Sequence, residues 1–325
     1  MTPSLSPTAR QRWALFPVLV ATAAAAGPGV AQAAPHNPAP GSPVRIERIN
    51  GAAGLTVAAP HATVGLRAEF PAPTDGTAVA EVRVARNGKV THKTKVKLTI
   101  TNGEATLSKP IKTEQSGVYR VGVRVNGALV GDVVEFDAIP RRVTSGSGKA
   151  SIEMMQSLLS QHAYVIGETG HFDARTGRAL VAIRKRLGLS RTATFDNALA
   201  TRLAKGQGDF TVKFPGHGRH VEANLSQQLL ALIGAGGKVE RVYTTSSGKP
   251  STPTVLGSYS VYRKDLGTNA KGMVDSSYFI RGYAIHGYAE VPTYNASHGC
   301  LRVPVPDALS IFRWVQYGTK VDVYR

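Results

Sequence analysis

Residues 282–303 read GYAIHGYAEVPTYNASHGCLRV. The first four residues form a short apolar strand that offers His286 a rigid mount, and the far end sets Cys300 directly behind Ser297, His298 and Gly299. Cys300 is the single cysteine among 325 residues. A free thiol is mostly protonated at neutral pH, so a nucleophilic cysteine needs a nearby base or cation. A histidine in hydrogen-bond reach provides both, and its other ring nitrogen then needs an acceptor. His286 lies 14 residues ahead of the thiol, with an intervening segment long enough to fold back. His298 lies two ahead, where an extended segment projects both side chains to one side. Gly299 permits a tight turn that presents its amide to a ligand. Spacing alone leaves the choice of base open, and a lone cysteine is as a rule a small apolar core residue.

Outward from this stretch, strand signals dominate. Residues 211–264, TVKFPGHGRHVEANLSQQLLALIGAGGKVERVYTTSSGKPSTPTVLGSYSVYRK, read as strands joined by glycine turns, and YFIRGYAIHGY (278–288) continues them. DALSIFRWVQYG (307–318) reads as a helix with Asp307 suited to its first turn and Gly318 to its end, followed by the strand KVDVYR. Upstream, past the linker RRVTSGSGKA (141–150), the period becomes helical in Ile152, Met155, Leu158 and Leu159, then from Thr176 to Leu187 and from Phe195 to Leu203. Three helices are expected over 149–206. Residues 45–140 alternate apolar and polar side chains, as in AVAEVRVARNG (78–88) and GVYRVGVRVNGALVGDVVEF (117–136), with hairpin signals at Asn87-Gly88 and Asn126-Gly127. About seven strands there predict an antiparallel sandwich. The expected fold class is mainly β with a small α domain, a β-rich part occupying 210–325.

Composition agrees with a turn-rich globular chain: 42% apolar residues, 18% charged, 34 glycines and 19 prolines. Residues 1–34 read as a secretory signal. Arg10 and Arg12 precede an apolar run of 14 residues, Trp13 to Ala26, and Ala31 to Ala33 form an AQA cleavage pattern near Ala33 or Ala34. Such a run is short of the roughly 20 residues that span a bilayer, and no other segment reads as transmembrane. Export to the periplasm or cell wall is therefore expected, where a lone cysteine can form no internal disulfide. The formal charge of +18 is spread along the chain without the aromatic-interleaved basic cluster of a nucleic-acid groove. It suits a polyanionic surface such as a bacterial envelope and its anionic wall polymers. His217 and His220, in HGRH, have a spacing seen in metal sites but lack a completing carboxylate or third histidine, so a solvated loop is expected and no metal. His162 and His171 read as structural or surface residues of the helical part.

Three resemblances sit on these segments. SGVYRVGVRV (116–125) resembles the late strand of immunoglobulin-like domains, where a tyrosine packs at the corner, although the usual cysteines are absent; a spacer or stalk is implied. G.TGHFDARTGRAL (167–180) and TATFDNALATRL (192–203) resemble the three-helix peptidoglycan-binding domain of exported wall enzymes. His286, a loop, and then Ser297-His298-Gly299-Cys300-Leu301-Arg302 strongly resemble the signature of the bacterial L,D-transpeptidases, whose YkuD-type catalytic domain also carries a run of strands and a TGKP.TPT..G loop like those upstream here. This likeness covers roughly 218–325.

The resemblance implies the following roles. Cys300 attacks a peptide carbonyl as thiolate, while His286 takes the thiol proton and later serves the incoming amine. The backbone carbonyl of Gly287 orients His286, and the amides of Gly299 and Cys300, assisted by His298, hold the oxyanion. Arg302 guides a substrate carboxylate or braces the loop; Ser297 shapes the turn and, with Arg302 and Tyr283, belongs to the substrate-binding set. The implied partners are donor and acceptor peptidoglycan stem peptides, with no metal or organic cofactor. The implied activity is three-to-three cross-linking through a cysteine acyl-enzyme, open to carbapenem trapping. Water in place of the amine would give an L,D-carboxypeptidase, and a non-catalytic wall-binding protein or a zinc peptidase are the readings from other classes.

Overall fold

Every second side chain of residues 78–84 turns inward: Ala78, Ala80, Val82 and Val84 are buried. Their strand belongs to a computed structural model that describes residues 44–49, 57–58, 63–69, 76–86, 89–107, 111–113, 116–125 and 128–325. The signal-like segment 1–34 lies outside the described residues. The first nine strands are β1 (Val44–Ile49), β2 (Val57–Ala58), β3 (Thr63–Glu69), β4 (Gly76–Arg86), β5 (Lys89–Thr101), β6 (Glu104–Leu107), β7 (Ile111–Lys112), β8 (Gly117–Val125) and β9 (Ala128–Ala138). They pair in the order β1-β3-β6-β5-β4-β8-β9-β2, with β7 on β3. This exceeds the seven strands expected, because two of the nine are only two residues long.

The pairing is one continuous path, since short β6 bonds to both β3 and β5. The turn that makes this possible, Asn102-Gly103, has φ of 52° and 78°, the left-handed pair of a tight hairpin. Registers Arg86↔Lys89 and Val125↔Ala128 flank the two Asn-Gly pairs, which themselves lie outside the described residues. Within this core Tyr119 stacks on Phe136 with ring centroids 5.0 Å apart.

Helices α1 (Lys149–Gln161), α2 (Ala174–Arg186) and α3 (Asn197–Ala204) follow. Asp173 caps α2 by accepting from the Thr176 N–H at 2.7 Å, and Asp196 caps α3 through Leu199 N–H at 2.9 Å. Phe195, read as the start of the third periodic run, stands before the cap, buried and bridged to Val143.

The rest of the chain contains β10 (His220–Asn224), β11 (Leu229–Ile233), β12 (Val239–Thr244), β13 (Gly257–Ser260), β14 (Arg263–Thr268), β15 (Val274–Ile280), β16 (Tyr283–Tyr288), β17 (Leu301–Pro304), α4 (Val305–Trp314) and β18 (Lys320–Tyr324). Two sheets form, β12-β11-β10-β18-β13 and β14-β15-β16-β17. The C-terminal β18 runs parallel to β10, Val221 opposite Val321, and closes the first of them.

LLALI of β11 is apolar without alternation because both its faces are covered. Leu229, Ala231 and Ile233 join a core with Met155, Leu180, Ile183 and Leu199 of the helices. Leu230 and Leu232 join a second core with Val221, Ile285, Leu301, Val303 and Trp314. The helices expected over 149–206 therefore share a hydrophobic core with the part after 210, and the break in period near 206 is not a break in packing. The last helix is shorter than the 307–318 expected. It begins at Val305, behind Pro304, and ends at Trp314 because Val315 turns extended (φ −75°, ψ 126°); Gly318 lies in the following turn.

Among the described residues no helix is long and apolar enough to cross a membrane.

Candidate active site

Strands β16 and β17 run parallel in the register Ile285↔Leu301, His286↔Arg302, Gly287↔Val303, Tyr288↔Pro304. Ile285, Leu301 and Val303 point into the second core. By alternation Ala284, His286 and Tyr288, with Cys300 and Arg302, occupy the opposite face. The parallel pair thus sets Cys300 beside Ala284 and diagonal to His286, across the ten-residue loop 287–296.

Cys300 is half-buried, packed against Met273, Tyr278 and Ala284, with Sγ 3.7 Å from the Gly282 carbonyl oxygen. Burial raises the thiol pKa; the Ala284 N–H and the cations of Arg302 and Lys271 act in the opposite direction without reversing it. His286 is 3% exposed, and its Nδ1 lies 2.8 Å from the Gly287 carbonyl oxygen. A carbonyl only accepts, so Nδ1 carries the hydrogen and the Nε2 lone pair is left as base. Burial lowers the imidazole pKa, the Gly287 carbonyl resists, and the Arg302 cation adds to the lowering. With the thiol pushed up and the imidazole pushed down, the resting pair is neutral thiol and neutral imidazole. Gly287 has no room for a side chain: a Cβ there would lie 2.7 Å from the Ala308 Cβ on α4.

The residues before the cysteine form a closed turn. Ser297 is 1% exposed; its Oγ donates to the Cys300 carbonyl oxygen at 2.6 Å and accepts from the Gly299 N–H at 3.1 Å. The Ser297 hydroxyl is satisfied within the turn, and the Gly299 amide, expected at the oxyanion, is bonded to Ser297. Gly299 sits at φ 118°, and a Cβ there would lie 1.7 Å from Cε1 of Tyr283. Tyr283 is thus a wall against the turn. His298 is exposed, its Nε2 3.5 Å from Lys249 Nζ. The Arg302 guanidinium lies over the Tyr288 ring at 4.1 Å, and Tyr288 meets His286 edge-on at 5.7 Å. That is the geometry of a brace.

Residues 218–323 match the family model YkuD, the L,D-transpeptidase catalytic domain. No curated protein sequence matches the chain. Among solved structures, the L,D-transpeptidase from Xylanimonas cellulosilytica is 27% identical with a TM-score of 0.51, covering 57% of this chain and 98% of that one. The L,D-transpeptidase from Stackebrandtia nassauensis is 19% identical, TM-score 0.35, covering 57% and 97%. The catalytic domain of the Enterococcus faecium L,D-transpeptidase is 28% identical, TM-score 0.29, covering 33% and 98%. The likeness in fold rests on the first of these. Cys300 and His286 thus stand inside an L,D-transpeptidase-type domain, which implies peptidoglycan stem peptides as substrates.

Several residues that hold this L,D-transpeptidase domain together escape a reading of the sequence. Buried Lys185, on α2, donates from Nζ to Gln228 O at 3.0 Å, Thr244 Oγ1 at 2.5 Å and Thr245 O at 3.1 Å. Thr245 Oγ1 in turn donates to Arg302 O at 2.7 Å, and Ser246 exchanges backbone hydrogen bonds with Arg302. A helix of the preceding segment is therefore two hydrogen bonds from β17. The signal for it is the spacing Gly177, Val181, Lys185, one stripe of a helix. Gln228 is buried and braces Ser247, whose carbonyl accepts from Ala296 and Ser297.

His217 and His220 do not form a solvated loop. His220 is fully buried with Nε2 3.2 Å from Glu222, and His217 Nδ1 lies 3.0 Å from Asp322. The alternation that begins at His220 turns its ring inward as the first residue of β10.

Proposed function

We propose that the protein is an exported peptidoglycan L,D-transpeptidase that forms three-to-three cross-links through a Cys300 acyl-enzyme. The observation that carries this reading is the tautomer of His286: Gly287 O takes the Nδ1 hydrogen, so Nε2, on the face it shares with Cys300, is free to take the thiol proton. Sγ attacks the carbonyl of the third residue of a tetrapeptide stem as its proton passes to His286. His286 returns that proton to the leaving amine of the terminal D-alanine, and a thioester remains. The side-chain amine of a neighbouring stem then attacks the thioester, loses its proton to His286 and displaces the thiolate. Donors aimed at the oxyanion are worth on the order of 3 kcal/mol each; with the Gly299 amide held by Ser297, the Cys300 amide is the remaining backbone candidate.

The intact mass of mature protein after incubation with a carbapenem tests the nucleophile. One adduct in the wild type and none in Cys300→Ala is expected; an adduct that persists in the mutant overturns the assignment. Purified tetrapeptide stems then report the acceptor: cross-linked dimers are expected, and accumulation of tripeptide alone would mean that water takes the acyl group.

A further inference from the structure

The outer face of the N-terminal sheet concentrates positive charge. Ala78, Ala80, Val82 and Val84 of β4 point into the core, so Val79, Glu81 and Arg83 point out. Their partners on β5 are Lys97, Lys95 and Lys93, all exposed and about 7 Å apart along the strand. On β8 the partners are Arg124, Gly122 and Arg120, and on β9 Glu135 stands opposite Arg120. These rows set six cations against two carboxylates, and the β9 bulge opposite Gly122 carries one more acid, Asp132. One row further, Ala85, Val118 and Asp137 border α1, where the open face ends.

Both glutamates are already engaged. Glu81 accepts from Arg83 Nη2 at 2.9 Å and from Arg124 Nε at 3.1 Å, and Glu135 accepts from Arg120 Nε at 2.7 Å. Among the described residues, Lys93 and Lys95 have no ion-pair partner. Lys93, Arg83 and Arg120 stand side by side on three adjacent strands, and like charges directly opposite one another destabilise a sheet. Lysines on an open edge guard against edge-to-edge pairing. Residues 89–97 of β5 form such an edge, because β6 pairs with β5 only from Leu98 onward. Edge protection does not account for the arginines, since β4 and β8 are interior strands. The excess of charge on this face fits a partner that supplies the missing anions.

We propose that this face binds a linear polyol chain linked by phosphodiesters, an anionic polymer of the cell-wall type, laid along the lysines of β5. A flexible chain with one fixed charge per short repeat matches ammonium groups set about 7 Å apart along a strand. Lysine is a point charge that takes phosphate oxygens from any direction, so it asks no particular rotation of the polymer. No aromatic ring lies in these rows, so the bases of a single-stranded nucleic acid have nothing to stack on. On this account the sandwich is more than the spacer its sequence implies: it holds the chain on the wall, independently of what Cys300 does.

Anisotropy of fluorescently labelled poly(glycerol phosphate), titrated with the mature protein, tests the site. Saturable binding is expected, weakening steeply as salt rises from roughly 50 to 200 mM. Lys93→Glu combined with Lys95→Glu should weaken it by about tenfold or more at fixed salt. Lys205→Glu combined with Lys238→Glu makes the same change in net charge at exposed positions of other segments and should weaken it by less than about twofold. The β5 variant also breaks up the row of like charges, so its urea midpoint should hold or rise, which separates lost binding from lost folding. Equal weakening by the two pairs would mean attraction to net charge alone and overturns the site, as does the absence of saturable binding. Tighter binding of a charge-matched oligothymidylate would make the face a nucleic-acid surface and overturns the choice of partner.

Discussion

The Nδ1 atom of His286 lies 2.8 Å from the carbonyl oxygen of Gly287, its own neighbour on β16. No acidic side chain is needed to orient the ring, because the strand that mounts the histidine also supplies the acceptor. The backbone of β16 is in turn fixed by β17 and by α4, against which Gly287 packs too closely for any side chain.

Burial pulls the His286 pKa below its ordinary 6.5, so the ring keeps its basic form further into acid. Acylation by a carbapenem should hold its rate as the pH falls to 6.5 and decline only below it. His286→Gln should slow acylation by about 10²–10⁴-fold, the usual range for a positioned general base. Stopped-flow fluorescence against pH measures both; an acid limb centred above 6.5 contradicts the burial argument.

Gly299 makes a sharper case. At φ 118° an L side chain is strained whatever the space, at a cost of about 1–3 kcal/mol, and the alanine methyl would also strike the Tyr283 ring. Gly299→Ala should lose at least that much in urea unfolding and lose acylation with it, since the turn carries Cys300. Adding Tyr283→Ala should recover only part of the stability, because it frees the space without changing φ. Full recovery would show that the contact alone mattered.

Lys185 ties α2 to the end of β12 and the residue after it, and burial lowers its pKa from 10.5 to about 7. Between those values the unfolded chain holds a proton that the folded chain has released, so stability attributable to this residue rises with pH across that window. Lys185→Met leaves Gln228 O, Thr244 Oγ1 and Thr245 O without their donor and should cost about 1–3 kcal/mol at pH 7. The difference between wild type and variant should widen from pH 7 to pH 10. Urea titrations at the two pH values check this, and a constant difference would place the lysine's titration outside the window.

The contrast between His286 and Lys185 shows what the sequence could reveal. The histidine, the loop and the Ser-His-Gly-Cys turn lie within 22 residues, so spacing and strand pattern are enough to bring them together. Lys185 sits in the basic run RKR, which reads as a solvated helix face, and its acceptors come 43 to 60 residues later. Nothing local says that this face is covered. Ser297 is legible for the same reason as His286: it lies inside the motif, and its hydroxyl closes the turn from within. His220 misleads because a glycine-rich approach, PGHG, suggests a loop where β10 has already begun. Long-range pairing, such as β10 with β18 across a hundred residues, decides these cases, and alternation alone cannot supply the partner.

One buried carboxylate also links the two strands of that pairing. Glu222, fully buried on β10, accepts from the Lys213 N–H at 2.9 and 3.0 Å, the Phe214 N–H at 2.8 Å and the Tyr324 hydroxyl at 2.8 Å, with His220 Nε2 at 3.2 Å. The segment that enters the domain, its first strand and its last strand thus meet at one side chain. Burial and the carboxylate together push the Tyr324 pKa up, so the phenol keeps its proton and remains a donor beyond its ordinary range. Glu222→Gln keeps the shape but turns an amide NH₂ toward existing donors, leaving at least one N–H or O–H unpaired. Removing a hydrogen bond to a charged acceptor costs about 1.5–3 kcal/mol, and here the loss should be local. Hydrogen exchange should quicken first at Val321 to Tyr324 of β18 and at Phe214, while amides of β8 and β9 keep their protection. Uniform acceleration across the chain would show instead that Glu222 stabilises the whole molecule as one unit.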